Sequence, residues 1–177
     1  MFKIDYNINE DDYLNFNEFH ALNSAVGKNA LNFYKMIFPV ISALAVLIFI
    51  IAKAKPLLIT IEVLFLGAVS IVWVMFSKKG FLRTLRKGIE RSKIDGKLPF
   101  SESGTLVFDD EYITDTNSQG ENKVRYEGVE KVFVADTAIY ICYSAAEAFI
   151  VPFKAFESED EREALIAFLN DKTKTNN

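Results

Sequence analysis

The sequence predicts an α+β membrane protein, in which a two-helix transmembrane hairpin precedes a β-rich domain that a C-terminal helix closes. Two observations lead to this fold class. The stretch from Met36 to Phe76 is almost wholly apolar, and its only charged residues are Lys53, Lys55 and Glu62. From about residue 103 the pattern changes, and short apolar runs alternate with polar turns as they do in successive β-strands.

The predicted hairpin, residues 36–76, consists of two apolar segments, residues 36–52 and 57–76. A helix rises about 1.5 Å per residue, so the shorter first segment spans about 25 Å and needs flanking aromatic residues to cross a hydrocarbon layer of about 30 Å. Pro39 is expected in the first turn of that helix, where its missing N–H costs little. The alternative is a buried helical hairpin of a soluble protein, but such helices carry a polar stripe that these segments lack.

Basic residues follow the second segment closely and predict its orientation. Residues 77–97 carry eight positive and two negative charges, net +6, and are predicted to form a basic juxtamembrane helix. Because Lys and Arg near membrane spans favour the cytoplasmic side, both termini are predicted to be cytoplasmic. Nucleic acid is a competing partner for a basic helix, but the adjacent bilayer favours contact with anionic lipid headgroups. The candidate headgroup contacts are Lys78, Lys79, Arg83, Arg86, Lys87 and Arg91.

Glu62 is an ionisable residue inside the second apolar segment, and such residues are functional candidates by default. It lies about six residues after the helix start, where its carboxyl could reach the headgroups, pair with Lys53 or Lys55, or remain protonated. We interpret Glu62 as an intramembrane polar residue with a structural role rather than a transport role. Two helices of one chain cannot enclose a pore without oligomerisation.

The N-terminal residues 1–35 are predicted to form a strand and an amphipathic helix. Residues 2–8 alternate apolar and polar side chains, which is typical of a half-buried strand. Asn9 and Asp12 have the spacing of a helix N-cap pair, and the helix is expected over residues 10–24. His20, the only histidine of the sequence, is interpreted as a packed or surface residue of that helix.

Residues 98–177 are predicted to form one domain of short antiparallel strands followed by a helix. The predicted strands are residues 105–108, 112–114, 124–126, 131–135, 138–143 and 148–151. Ser158 and Glu161 have the spacing of a capping box that opens a helix with an apolar face of Leu165, Phe168 and Leu169. This order is the plan of a pleckstrin-homology-like (PH-like) domain, an antiparallel sheet or barrel capped by a C-terminal helix. It is one strand short of the usual seven, and residues 2–8 could supply the missing strand.

Three stretches resemble the YcxB-like family of bacterial membrane proteins. They are residues 12–20 (DYLNFNEFH), ahead of the hairpin; residues 126–132 (YEGVEKV), at the place of the family's Trp-x-x-Ile-x-x-Val turn; and residues 150–156 (IVPFKAF), similar to the family's Ile-Pro-Lys-Arg-Ala-Phe. The resemblance implies a two-pass protein of the bacterial cell membrane that carries a membrane-anchored domain. It supplies no catalytic residues.

The sequence contains none of the common catalytic or cofactor-binding motifs. Phosphate-binding glycine loops, HExxH, GxSxG and clusters of Cys or His are all missing, so we predict no enzymatic activity, no cofactor and no metal site. The acidic residues 109–111 and 157–163 fit a solvated turn and a helix start. Cys142, the only cysteine, is expected to be a small core residue of an apolar strand.

The predicted function is that of a membrane-anchored, non-enzymatic binding or regulatory module that presents its cytoplasmic domain to a protein partner. Residues 98–177 carry 16 acidic and 7 basic side chains, net −9, a balance that disfavours phosphoinositide as a ligand of the domain. No nucleic-acid partner is predicted. The alternative is an accessory subunit of a transporter or channel complex, with the hairpin as the interaction element. Gly67, Ala68 and Ser70 would then allow close helix approach.

Overall fold

The computed structural model describes residues 1–93, 100–145 and 147–174. Within these ranges the chain forms four α-helices and seven β-strands. The helices are α1 (Glu10–Asn23), α2 (Ala25–Ile51), α3 (Pro56–Arg91) and α4 (Glu159–Lys174). The strands are β1 (Phe2–Asn7), β2 (Ser103–Phe108), β3 (Tyr112–Asn117), β4 (Gly120–Arg125), β5 (Lys131–Val134), β6 (Ala138–Cys142) and β7 (Ala148–Pro152). The chain divides into two compact units, the β domain (residues 1–17 and 93–177) and the hairpin unit (residues 18–92).

Two antiparallel sheets build the β domain. Strands β1 to β4 follow one another in a four-stranded sheet, and β5 to β7 form a three-stranded sheet. The suggestion that residues 2–8 form a strand beside the C-terminal strands is confirmed, because β1 pairs along its whole length with β2. The register aligns Tyr6 of β1 with Gly104 of β2, and Gly104 with Asn117 of β3. Segments that precede and follow the two long helices in the sequence therefore meet in one sheet.

The core of the β domain draws on both sheets and on α4. Its fully buried side chains include Phe108, Ile113, Ile139, Ile141, Val151, Leu165 and Leu169. At the start of α4 the Ser158 hydroxyl accepts a hydrogen bond from the Glu161 N–H (3.2 Å), and the Glu161 carboxylate accepts one from the Glu157 N–H (2.9 Å). These bonds confirm the predicted capping pair. Burial of an aliphatic side chain contributes about 1.5–3 kcal/mol, so the two leucines fix α4 on the sheets.

Helix α1 begins where the sequence predicts. The Asn9 side chain accepts a hydrogen bond from the Asp12 N–H (2.8 Å), and the Asp12 carboxylate accepts one from the Asn9 N–H (3.0 Å). This reciprocal cap satisfies two of the donors that a helix start leaves free. Phe16 is buried and its ring packs edge-on against Tyr140 of β6, with the ring centroids 5.2 Å apart. The first half of α1 thus covers the three-stranded sheet.

Helix α2 begins at Ala25, well before the predicted membrane segment. Ser24 is its N-cap, and the Ser24 hydroxyl accepts a hydrogen bond from the Gly27 N–H at 3.0 Å. The expectation that Pro39 lies in the first turn is therefore wrong, because Pro39 lies inside α2. A proline there lacks the N–H that would donate to the carbonyl four residues earlier.

Helices α2 and α3 pack against each other as an antiparallel pair. The Ser70 hydroxyl donates a hydrogen bond to the Ser42 hydroxyl (3.3 Å), and the Trp73 indole N–H donates one to the Tyr34 carbonyl (3.3 Å). The later residue of α2, Ser42, contacts the earlier residue of α3, Ser70, so the two helices are antiparallel, as the sequence predicts. Ser42 is buried in this interface, where the hydrogen bond offsets part of the cost of burying its hydroxyl.

The basic segment is the continuation of α3 rather than a separate element. Helix α3 runs without interruption from Pro56 to Arg91, although the sequence predicts a membrane helix over 57–76 and a second helix over 77–97. No proline interrupts it after its first residue, and glycines such as Gly80 and Gly88 weaken a helix by only about 1 kcal/mol each. The predicted residues 94–97 lie outside the described residues.

Both long helices have the length and composition that a membrane span requires. The most apolar 18-residue stretch of α3 has no residue buried within the chain. In the corresponding stretch of α2, only 6% of the residues are buried. Large apolar side chains such as Ile48, Leu64 and Ile71 are each at least 64% exposed. A core helix of a soluble protein buries such side chains, so α2 and α3 are candidates for membrane spans.

Candidate functional site

A cavity of about 450 Å³ lies within the β domain. Its walls come from β1 and the first half of α1, from the strands β2, β3 and β4, and from the β6–β7 hairpin. The volume falls in the range of about 300–1,000 Å³ that small-ligand sites occupy. Because β1 and α1 supply part of the wall, the cavity depends on the pairing of the N-terminal strand with β2.

Asp115 of β3 is the most buried charged group of the cavity, with 8% of its surface exposed. The Tyr6 hydroxyl donates a hydrogen bond to Asp115 Oδ1 (2.8 Å), and the Asn117 amide donates one to Asp115 Oδ2 (2.7 Å). Both donors are neutral, and no salt bridge reaches Asp115 within the described part of the chain. Burial raises the pKa of Asp115 above its ordinary value, although the two hydrogen bonds act in the opposite direction.

Gly104 of β2 leaves the room that the Tyr6 hydroxyl needs. A Cβ at position 104 would lie 2.6 Å from the Tyr6 hydroxyl oxygen and 2.8 Å from the Thr116 carbonyl oxygen. Any other residue would displace either the phenol or the backbone of β3. Burial also raises the pKa of Tyr6 above its ordinary value, so the hydroxyl remains a donor to Asp115 throughout the physiological range.

Two exposed carboxylates, Glu121 of β4 and Glu147 before β7, lie at the rim of the cavity. The Glu147 Oε2 atom accepts a hydrogen bond from the Ser144 hydroxyl at 3.2 Å. Nearby, the Asn122 amide donates to the Tyr143 hydroxyl at 3.0 Å, which joins β4 to the β6–β7 hairpin. The rim therefore carries negative charge on both sides of the opening.

Aromatic rings form much of the remaining wall. Tyr13 of α1 stacks on Phe100 with the ring centroids 4.9 Å apart, and Tyr143 packs against Phe149 of β7 at 4.7 Å. All four rings line the cavity, as does the buried ring of Phe16. Aromatic pairs of this kind hold each other in place, so the wall is built before a ligand arrives.

The electrostatic character of the cavity is acidic. Three of its lining residues are carboxylic acids, and none of those that the structure describes is Lys, Arg or His. Such a surface offers hydrogen-bond acceptors, π faces and negative charge, and it repels phosphate groups. It suits a ligand that donates hydrogen bonds or carries positive charge.

The six candidate headgroup contacts lie together on the C-terminal part of α3. Arg86 is half-buried, and its Nε donates a hydrogen bond to the Glu18 carboxylate of α1 at 3.0 Å. Arg86 therefore holds α1 and α3 together within the hairpin unit. The other five are exposed and form no salt bridge within the described ranges: Lys78, Lys79, Arg83, Lys87 and Arg91.

Glu62 is half-buried on α3, and its Oε2 atom is buried without a hydrogen-bond partner among the described residues. The pairing with Lys53 or Lys55 that the sequence suggests is not made within the described chain. An unsatisfied carboxyl oxygen in an apolar helix is costly, so this position is a second place where a donor from outside the chain would be stabilising.

Other polar groups have structural partners. Asp109 accepts hydrogen bonds from the backbone N–H groups of Tyr112 (2.6 Å) and Glu111 (2.8 Å), which lower its pKa and confirm the predicted turn. Burial, with a smaller contribution from Glu130, raises the pKa of the Cys142 thiol and so disfavours the reactive thiolate. In the described ranges, no group of three or more His, Cys, Asp or Glu side chains could hold a metal ion.

Sequence reasoning missed the residues at the centre of the cavity. The first predicted strand begins at residue 105 and the second ends at residue 114, so Gly104 and Asp115 lie just outside the predicted strands. The available signal was the alternation of β3, because Asp115 lies two residues after the buried Ile113 and so faces the same side. The contact between Tyr6 and Asp115 joins residues 109 positions apart and has no local signal.

The fold and the cavity define a class: an α+β protein in which two helices long enough to span a membrane interrupt a two-sheet domain with an acidic, aromatic cavity. Residues 108–169 match the family model described as YcxB-like protein, which confirms the predicted resemblance over about a third of the chain. Two of the three resembling stretches lie within the matched residues, and residues 12–20 lie outside them. Comparisons with curated proteins and with solved structures give no match.

Proposed function

We propose that this protein is a membrane-anchored, non-enzymatic binding module, in which the hairpin holds the β domain at the membrane and the β domain binds a protein partner. The cavity beside Asp115 is the observation that carries this function. It combines a volume of about 450 Å³ with convergent polar and aromatic side chains, which is the usual composition of a recognition site. The half-buried, weakly acidic thiol of Cys142 favours binding over covalent chemistry.

The β domain is best described as PH-like. Seven antiparallel strands in sheets of four and three, followed by the C-terminal helix α4, support this assignment. The acidic cavity differs in charge from a phosphoinositide site, which requires basic side chains. A protein surface is the partner that agrees with this charge.

The proposed location is a bacterial cell membrane, crossed twice by α2 and α3, with both termini in the cytoplasm. The pairing of β1 with β2 supports an even number of spans, because both strands must lie on the same side of any membrane that the intervening helices cross. The five exposed basic side chains at the end of α3 support the cytoplasmic side. There each would contribute about 1 kcal/mol of attraction to anionic headgroups.

An accessory subunit of a transporter or channel complex is the second candidate function, and Glu62 favours it. Its unpartnered Oε2 atom and the exposed small residues Gly67 and Ala68 would suit a neighbouring transmembrane helix that brings a hydrogen-bond donor. The two functions place the partner at different surfaces of the protein.

Site-specific photo-crosslinking in native membranes separates these functions. A photoreactive benzoylphenylalanine replaces Gln119, an exposed residue at the cavity, or Leu64, which is 69% exposed on α3. A third position, Glu163 on the exposed side of α4, is the matched control away from both surfaces. A discrete protein adduct from position 119 supports the binding module. An adduct from position 64 alone supports the accessory subunit, and equal adducts from all three positions would contradict both.

A further inference from the structure

Building on the proposed function, we propose that the cavity binds the cationic end of a lysine or arginine side chain presented by the protein partner. The partner's basic side chain would enter past Glu121 and Glu147 and end near Asp115. Three features of the cavity support such a ligand: the buried carboxylate, the aromatic wall and the two carboxylates at the rim.

Asp115 is a carboxylate with 8% of its surface exposed, and its hydrogen-bond donors among the described residues, Tyr6 and Asn117, are both neutral. A buried carboxylate normally has a cationic partner, because neutral donors offset only part of its desolvation. Each carboxylate oxygen can accept two hydrogen bonds, and within the described ranges one donor reaches each, so acceptor capacity remains there. A guanidinium or ammonium group would supply both the charge and the additional donors.

The aromatic wall points to an organic cation rather than a bare metal ion. Tyr13, Phe100, Tyr143 and Phe149 line the cavity with ring faces and edges, which attract a guanidinium or alkylammonium group within about 6 Å and pack against its methylene stem. Hard metal ions prefer several oxygen ligands at once. The described residues contain no such cluster.

The negative charge at the rim favours a basic side chain of a protein over a small free cation. Glu121 and Glu147 are exposed, and the opening lies on the surface of a domain whose residues 98–177 carry a net charge of −9. Such a surface attracts a basic segment before its side chain enters the cavity. A small free amine would gain less from this wider field than a segment with several positive charges.

Binding of butylguanidinium and butylammonium to the purified full chain in detergent micelles tests the chemistry, with butanol as the neutral probe. The cations should bind at millimolar concentration and more weakly at high salt, and butanol should not bind. Asp115→Asn keeps an acceptor for Tyr6 and should weaken binding about tenfold or more. Glu121→Gln with Glu147→Gln, both at exposed positions, should weaken it severalfold and provides the test if Asp115→Asn does not fold. Glu163→Gln on α4 should leave binding unchanged.

The crosslink from position 119 in native membranes tests the source of the cation. Its adduct should diminish when Glu121 and Glu147 are replaced by Gln and when butylguanidinium is added, but not with Glu163→Gln. An adduct that resists both treatments would overturn the cationic ligand while leaving the proposed function intact. Binding of the small cations without any adduct would overturn the protein source. Equal binding of butanol and the cations would overturn the charge argument.

Discussion

Replacement of Tyr6 by Phe isolates the hydrogen bond at the centre of the cavity. The phenyl ring keeps the packing of a side chain that is 7% exposed, and the substitution removes the hydroxyl that donates to Asp115 and also interacts with the Asn117 side chain. A hydrogen bond to a charged group contributes about 1.5–3 kcal/mol, and among the described residues the remaining donor to Asp115 would be Asn117. We therefore expect Tyr6→Phe to lower the free energy of unfolding of the β domain by about 1.5–3 kcal/mol at neutral pH.

The size of this loss should depend on pH. The hydrogen bond from Tyr6 lowers the pKa of Asp115, so its removal raises that pKa further above the unfolded value of about 3.9. A carboxyl group whose pKa is higher in the folded than in the unfolded state stabilises the folded protein at pH values below the unfolded pKa. This stabilisation is lost as the pH rises through the folded pKa. The loss of unfolding free energy caused by Tyr6→Phe should accordingly be smallest near pH 4, because a neutral hydrogen bond contributes only about 0.5–1.5 kcal/mol. The loss should increase toward pH 7.

The single cysteine provides the assay. Cys142 lies half-buried in β6, so its labelling in increasing urea reports unfolding of the β domain in the full chain in detergent. The reagent is a pyridyl disulfide, because protonation of its pyridine ring keeps it reactive toward thiols at pH 4 as well as at pH 7, whereas reagents that need the thiolate react very slowly in acid. With a urea dependence of about 1.5 kcal/mol per molar, the midpoint should fall by about 1–2 M at neutral pH. Tyr143→Phe is the matched control, because the Tyr143 hydroxyl is bonded to the exposed Asn122 and not to a carboxylate. Equal losses at pH 4 and pH 7, or a loss no greater than that of Tyr143→Phe, would refute the reasoning.

Three further predictions test the surrounding architecture. Gly104→Ala should destabilise the β domain by about 1–3 kcal/mol in the same urea assay, because the added Cβ would clash with the phenol of Tyr6. Gly128→Ala is the control, since its Cβ would lie 3.5 Å from the nearest described atom, and it should change stability by no more than about 0.5 kcal/mol. The isolated fragment 98–177 lacks β1 and should show no cooperative unfolding by circular dichroism; a sharp transition would contradict the role of β1. In a Cys142→Ala background, an impermeant maleimide should label Ala54→Cys in intact cells and Ser118→Cys only after permeabilisation, and the reverse pattern would invert the proposed topology.

Local patterns in the sequence predict most of the secondary structure. The apolar segments predict the two long helices, and the alternation of residues 2–8 predicts the strand β1, since both depend on short-range periodicity. The partner of β1 is a strand about 100 residues away, and the alternation does not specify it. The start of α2 was not predicted, because an uncharged segment marks the apolar part of a helix and not its N-cap at Ser24. Pro39 was misplaced for the same reason.

The cavity could not be predicted from local patterns. Asp115 is a charged residue with low strand propensity, and the apolar run that marks β3 stops before it, although β3 continues to Asn117. Asp115 is stabilised inside by Asn117 and by Tyr6, a residue 109 positions earlier in the chain whose hydroxyl occupies the space that Gly104 leaves free. That arrangement depends on the register of three strands, which only tertiary structure specifies.

The pairing of β1 with β2 also has a consequence for biosynthesis. About 95 residues separate Asn7 from Ser103, so at about 5–20 residues per second the ribosome completes β1 roughly 5–20 s before β2. During that interval the apolar side chains of Ile4 and Ile8 have no sheet to enter. If only one of the two long helices inserted into the membrane, β1 and β2 would lie on opposite sides and the sheet could not close. Formation of the four-stranded sheet would thus occur only in chains whose insertion had succeeded, and unfinished chains would remain exposed to proteolysis.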